Sequence, residues 1–204
     1  MRAVEPPLCE RCGVPFPSDE GVSHECAACA GQKTLLSKSR AAVLYDASAR
    51  EVVHRYKYHG RRGLARPMGI MLADAYERLL EPAASDVVVP VPLHTRRLRQ
   101  RGYNQAFLLA REWARHAGGQ APEQAHDALV RIRWTRSQTG LSREERVENT
   151  RGAFVVVRPE RITGKRVILV DDVYTTGATV EECARVLAKA GAKRVCALTV
   201  ARVG

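Results

Sequence analysis

Two things this chain lacks narrow its class at once. No apolar run approaches the ~20 residues that a helix needs to cross a bilayer, and the stretch MRAVEPPLCERC has no apolar segment of the signal-peptide kind. Membrane insertion is therefore not expected, and a cytoplasmic protein is. Aromatic residues are few, 5% of 204, and no internal repeat or low-complexity segment interrupts the chain. Acidic residues are also in short supply. Against 33 Lys and Arg stand 22 Asp and Glu, a formal net charge of +11. That balance points to anionic partners such as nucleic acid or phosphorylated small molecules. Within the basic set Lys is rare and Arg dominates. Arg grips phosphate in two directions at once, although a GC-rich genome gives the same bias.

With 45% apolar residues, the chain is long enough for one α/β domain with a full core plus a small appendage. Four of its six cysteines precede residue 30, as Cys9-x-x-Cys12 and Cys26-x-x-Cys29. In a cytosolic chain two such pairs read as a structural zinc site rather than disulfides. Each pair supplies two thiolates from one tight turn, and four close a tetrahedral shell. Gly13 and Gly31, just beyond each pair, suit a backbone turning under sulfur. His24 is a conceivable substitute ligand, and a vestigial or redox role is the alternative. Cys183 and Cys196 fall on apolar faces and read as core.

Residues 1–38 are expected to form the zinc-binding unit and 39–204 the main domain. Strands are predicted at AAVLYD (41–46), VVVPVPLH (87–94), ALVRI (128–132), AFVVV (153–157), RVILV (166–170) and RVCALTVARV (194–203). Helical faces run through Leu64, Met68, Met71, Leu72, Ala75, Tyr76 and Leu79, then through Ala106, Ala110, Trp113 and Ala117. A shorter basic helix ends at Gly60. Alternating strands and helices imply an α/β fold with a mostly parallel, doubly wound sheet. Residues 133–152 are polar with no usable apolar period, so they are either a functional loop or a misassigned element.

The most informative stretch is RVILVDDVYTTGAT, 166–179. Four apolar residues, Val167 to Val170, read as a strand buried on both faces. Val180, Cys183, Ala184 and Leu187 then recur at helix spacing. Asp171 and Asp172 thus stand at the carboxyl end of a parallel strand, where open α/β sheets bind ligands. The small residues joined to a helix N-terminus suit an anion, with Thr175, Thr176 and Thr179 as hydroxyl donors and Gly177 permitting close approach. Carboxylates repel a phosphate, so they fit a neighbouring group that donates hydrogen bonds. Vicinal ribose hydroxyls next to a 5′-phosphate present that combination. The structural alternative is an acidic strand end followed by a helix cap, since Thr179 and Glu182 fit a capping-box pattern.

VILVDDVYTTGAT resembles the phosphoribosyl-pyrophosphate (PRPP) motif of type I phosphoribosyltransferases. The four-Cys unit, Tyr56-Lys57-Tyr58-x-Gly60, VPVPLHTRRLRQRGYNQA and TRSQTGLSREERVENTRGAF together resemble the ComF family of competence proteins. That resemblance covers Cys9 to about Ala201. It implies a type I phosphoribosyltransferase-like fold with an N-terminal zinc finger. Asp171 and Asp172 would take the ribose hydroxyls, and Tyr174, Thr175, Thr176, Gly177, Ala178 and Thr179 the 5′-phosphate. Pro92, Leu93, His94 and Thr95 occupy the place of the pyrophosphate loop, a departure from the Gly-rich form, since Pro offers no N–H. Residues 133–152 match the mobile loop that closes over such sites. Mg²⁺ with PRPP is implied, bridging ligand oxygens and keeping several waters.

The resemblance further implies an accessory factor in uptake of single-stranded DNA, with a DNA-uptake motor protein as partner. Arg55, Lys57, Arg96, Arg97, Arg99 and Arg101, with Tyr103 among them, are candidate contacts, because charge and stacking faces suit sequence-tolerant single-strand binding. The other reading makes those Tyr core residues and those Arg solvated ones. A metabolic phosphoribosyltransferase of nucleotide synthesis or salvage is the alternative function. Whether turnover occurs, and onto which acceptor, is open at this stage, and no catalytic residue is assigned.

Overall fold

Val167 to Val170 form the centre of a strand because a mostly β-branched apolar run flanked by strands on both sides loses its apolar surface to the two faces of a sheet. The computed structural model describes all residues except 18–20, 33, 81–84, 118–120 and 137–139. In chain order it holds β1 (Lys38–Leu44), α1 (Ala47–Tyr58), α2 (Ala65–Leu79), β2 (Val87–Pro90), α3 (Thr95–Arg101), α4 (Gln105–His116), β3 (Glu123–Gln124), β4 (Leu129–Arg131), α5 (Arg143–Thr150), β5 (Phe154–Val156), β6 (Arg166–Tyr174), α6 (Ala178–Lys189) and β7 (Arg194–Arg202). The main sheet has the order β1-β7-β6-β2-β3, and every pairing in it is parallel.

Side chains alternate across this sheet with period two. Ile168, Val170, Leu198 and Val200 enter one core, shared with Val53 of α1, Leu72 of α2 and Leu109 and Trp113 of α4. Val167, Leu169, Val195 and Ala197 enter the other, shared with Val180, Cys183, Ala184 and Leu187 of α6. Cys196 and Cys183 are buried in these cores. Helices α2 and α4 approach very closely at Gly69, where a Cβ would stand 2.6 Å from the Cβ of Glu112.

The structure departs from the sequence-based expectation mainly in short elements and loops: the strand expected over 87–94 stops at Pro90, and the two-residue edge strand β3 was not foreseen. The segments 128–132 and 153–157 do not join the main sheet. They pair antiparallel as a separate ribbon, Leu129 opposite Val156 and Arg131 opposite Phe154, and so draw together the two ends of residues 133–152. Within that polar stretch lies α5, capped by Ser142, with a reciprocal capping box to Glu145. Helix α3 forms from TRRLRQR, which has no apolar period, and stops at Gly102 with φ +76.

The N-terminal segment is more than an appendage. Ala3 pairs antiparallel with Val43, so the chain start adds an edge to β1. Val4 and Leu8 pack on Ala41. The buried Arg40 guanidinium donates to the carbonyls of Cys9 at 3.4 Å and Glu10 at 3.0 Å, and the Ser39 amide donates to Arg11 O at 2.6 Å. Among the described residues no helix is long and apolar enough to cross a membrane.

Candidate functional site

A cleft of about 1560 Å³ opens where β6 meets α6, and Asp171, Asp172 and Tyr174 to Thr179 all line it. The strand β6 carries the acids because its alternation continues past the core: Asp172 is buried and Asp171 half-buried. An Asp171 oxygen accepts the Asp172 amide at 2.8 Å. Asp172 is ion-paired with Lys57, Nζ to Oδ1 2.8 Å, the side chains 8% and 23% exposed. Loss of water, then the neighbouring Asp172 charge, pushes the Asp171 carboxyl up to about 7, against the pull of Lys57 and Arg131. Burial works against charge on Lys57, but the Asp172 carboxylate outweighs it and holds the ammonium above its ordinary range.

Lys57, one of the candidate nucleic-acid contacts, lines the cleft. Helix α1 ends there, and its last turn aims the lysine at the acid pair. Arg97, Arg101 and Arg131 line the same cleft. Burial, followed by repulsion from Arg101, lowers the pKa of Arg97; burial, followed by repulsion from Arg97, lowers that of Arg131. These four cations belong to a cleft wall that carries ten Lys and Arg against four Asp and Glu, an imbalance that favours an anion. Two buried donors in this region, Gln105 Nε2 and Arg131 Nε, have no hydrogen-bond partner, and both residues line the cleft. Unsatisfied buried donors are costly unless a ligand or water takes them.

The loop after β6 turns at Gly177, whose φ of +81 places it in the left-handed region as the N-cap of α6. A capping box from Thr179 to Glu182 does not form. Glu182 instead accepts the Gly152 amide at 2.7 Å and pairs with Arg185 at 2.7 Å. Helix α5 lies against this loop. Arg146 Nη1 donates to Thr175 Oγ1 at 2.8 Å, and the buried Thr150 hydroxyl, bonded within its own helix to Arg146 O at 2.9 Å, lies 3.4 Å from Ala178 O. The part of 133–152 that is described therefore reaches the loop; residues 137–139 lie outside the described residues.

Of Pro92, Leu93, His94 and Thr95, which follow β2, only Leu93 lines the cleft. His94 is the N-cap of α3, its Nδ1 accepting the Arg96 amide at 3.2 Å. The expected stacking face at Tyr103 is corrected: the ring is 6% exposed, its hydroxyl donates to Tyr56 O, and it packs against the Tyr56 ring. The apolar ring is taken by the core, so it has no face to offer a base. Two exposed aromatics stand beside the arginines, Tyr58 and Trp134; Arg96 and Arg97 are each 5.1 Å from the Trp134 ring centre and His94 is edge-on to it at 5.5 Å. Arg99 and Arg55 are exposed, the latter paired with Glu51 at 2.6 Å. Arg101 sits over the exposed Tyr58 ring and donates to Gln105 at 3.0 Å.

At another part of the cleft wall stand Cys12, Cys26 and Cys29. With Cys9, their Sγ atoms all lie within 4.8 Å of one another. A tetrahedron of ~2.3 Å Zn–S bonds sets its sulfurs about 3.8 Å apart, and Cys12 and Cys26 are 3.9 Å apart. Burial pushes the Cys9 thiol up, but the amides of Cys26, Cys12 and Arg11 outweigh it and bring it down to about 6. The set fits a closed metal site such as zinc.

Arg131, Arg146, Gln105 and Trp134 were not singled out from the sequence. A charged residue inside the apolar run LVRI was a signal for Arg131, and Ser142-x-x-Glu145 was one for the helix that presents Arg146.

Comparison with known proteins places relatives beside this chain. Residues 104–204 match the family described as the phosphoribosyl transferase domain. Competence protein F of Haemophilus influenzae is 30% identical over 93% of this chain and 82% of its own length. DNA utilization protein YhgH of Escherichia coli K12 is 31% identical, over 92% of this chain and 81% of that protein. Competence protein ComFC of Bacillus subtilis is 27% identical over 94% and 75%.

Proposed function

The chain belongs to the ComF family of competence proteins, and from that premise we propose that it binds PRPP or a 5-phosphoribosyl group with Mg²⁺ and assists uptake of single-stranded DNA. The observation that carries the reading is the acid pair at the end of β6, set between a Gly-turned helix N-terminus and a cluster of four cations. Asp171 and Asp172 accept the ribose hydroxyls. Thr175, Thr176, Gly177, Ala178 and Thr179 surround the 5′-phosphate, with Arg146 reaching it from α5.

The pyrophosphate falls to Lys57, Arg97, Arg101 and Arg131, with the free amide donor of Gln105. Side-chain charge thus replaces the backbone amides that Pro92 cannot supply. Mg²⁺ enters with the ligand, since Lys57 already neutralises Asp172 and the ion keeps several waters. Division into a metal unit at 1–38 and a phosphoribosyltransferase domain at 39–204 is part of this proposal, as is a DNA-uptake motor as partner.

In a transferase reaction a nitrogen nucleophile would bond to the anomeric carbon as the bond from that carbon to the pyrophosphate oxygen breaks. The cation cluster would stabilise the charge that develops on the leaving group. Two assays separate an accessory factor from a metabolic enzyme. A panel of free bases with PRPP·Mg²⁺, read by pyrophosphate release, is expected to show no turnover. Fluorescence anisotropy is expected to show single-strand binding that weakens with salt, with a log–log slope of roughly −0.7 per phosphate neutralised. Turnover of a base, with no binding of single strands at low salt, overturns the accessory role.

A further inference from the structure

We propose that Arg202 is a positioning residue that links the four-Cys knuckle to the phosphate loop, so that metal loading and phosphoribosyl binding reinforce each other. The proposal deepens the phosphoribosyl reading and rests on it. Arg202 ends β7 and is 5% exposed. Its Nη1 donates to the carbonyl of Cys12, a residue of the metal cluster. The guanidinium of the same side chain lies over the Tyr174 ring, 5.4 Å from its centre.

Tyr174 in turn roofs the loop: a Cβ added at Gly177 would collide with its hydroxyl oxygen. The tyrosine therefore fills the space that the glycine leaves, and the position of its ring bears directly on the turn that caps α6. The backbone supports the same link. The Val203 amide donates to Tyr174 O at 2.9 Å. A second tie runs parallel to it: the Thr34 hydroxyl, just beyond the cysteine pairs, donates to Glu181 in the first turn of α6.

The knuckle itself has no slack against the sheet. At Gly13, φ +71, a Cβ would run into the Ser39 carbonyl of β1. A knuckle that keeps its shape holds the Cys12 carbonyl in place for Arg202. One that loses its metal loses the tight turn, because a site of this kind takes its folding free energy from the ion. Arg202 then lacks its acceptor, and the Tyr174 ring loses the cation held over it. The ligand sees a looser loop. By linkage, a ligand that orders the loop must tighten metal binding by the same factor.

The experiment is a cycle of four proteins: zinc-loaded and zinc-stripped wild type, and zinc-loaded and zinc-stripped Arg202→Met. Calorimetry with PRPP·Mg²⁺ gives affinity for each, and near-UV circular dichroism checks the fold. Zinc removal in wild type should weaken PRPP roughly tenfold, within the usual range of coupling between sites. Arg202→Met, still loaded, should lose a similar factor, and stripping it should cost little more, the non-additivity expected of one path. Arg202→Lys, which keeps a donor for Cys12 O, should recover part of the loss.

If the stripped proteins unfold, the loaded pair still decides the matter through zinc affinity, measured by competition with a chromophoric chelator. PRPP should tighten zinc roughly tenfold in wild type and not in Arg202→Met. Normal PRPP binding after zinc removal, losses that simply multiply, or equal zinc tightening in both proteins overturns the link while leaving the ligand reading intact. Failure of loaded wild type to bind PRPP at all overturns both.

Discussion

Asp171→Asn in the unliganded protein should stabilise it above neutral pH. The carboxyl is raised from 3.8 to about 7, first by loss of water and then by the Asp172 charge. Between those values the native state holds a proton that the unfolded chain has released, so wild-type stability falls as pH rises through that window and levels off above it. Three units at 1.36 kcal/mol each set a ceiling of about 4 kcal/mol. The cleft is open to water and the shift is shared with Asp172, so about 2 kcal/mol is the expected gain. Asn keeps the oxygen that accepts the Asp172 amide at 2.8 Å, so no hydrogen bond within the pair is lost. Urea unfolding at pH 8 and pH 4.5 measures the effect. The variant should be more stable at pH 8, with the gap closing toward pH 4.5. A gap that is absent, reversed or independent of pH would refute the reasoning that these acids are held against their own repulsion for a ligand.

Arg146→Gln removes a charged donor 2.8 Å from Thr175 and should weaken PRPP by about 1.5 kcal/mol, roughly tenfold, with an unchanged melting curve; calorimetry and thermal unfolding check both. Gly69→Ala forces α2 and α4 apart, since its Cβ would stand 2.6 Å from Glu112 Cβ. It should cost about 1–3 kcal/mol in urea unfolding. Metal analysis should return about one zinc per chain, and Cys26→Ser should lower that content by opening the four-thiolate shell; an unchanged content would exclude Cys26 as a ligand.

The parallel sheet was legible because buried strands such as Val167 to Val170 and helices such as 180–187 announce themselves by apolar period. The acid pair, the Thr-Gly turn and the four cysteines were legible because their chemistry and spacing are local. What escaped the sequence is what tertiary packing decides. Nothing in Tyr103 distinguishes a stacking ring from a core ring; only the closeness of Tyr56 does. Lys57 reads as surface charge until the end of α1 is seen to meet β6, 115 positions later in the chain. The β4–β5 ribbon was invisible because three-residue strands carry no period that separates a hairpin from a sheet member. Helix α5 is different, since its capping box was there to be read.

The central claim is that the acid pair and its loop bind a phosphoribosyl ligand. Calorimetric titration of wild type and of Asp171→Asn with Asp172→Asn by PRPP·Mg²⁺ tests it most directly. Wild type should bind in a saturable manner. The double variant should stay folded and bind at least tenfold more weakly, each lost charge-assisted hydrogen bond being worth on the order of 1.5–3 kcal/mol. No saturable binding by wild type, or wild-type affinity in the folded double variant, would contradict the account.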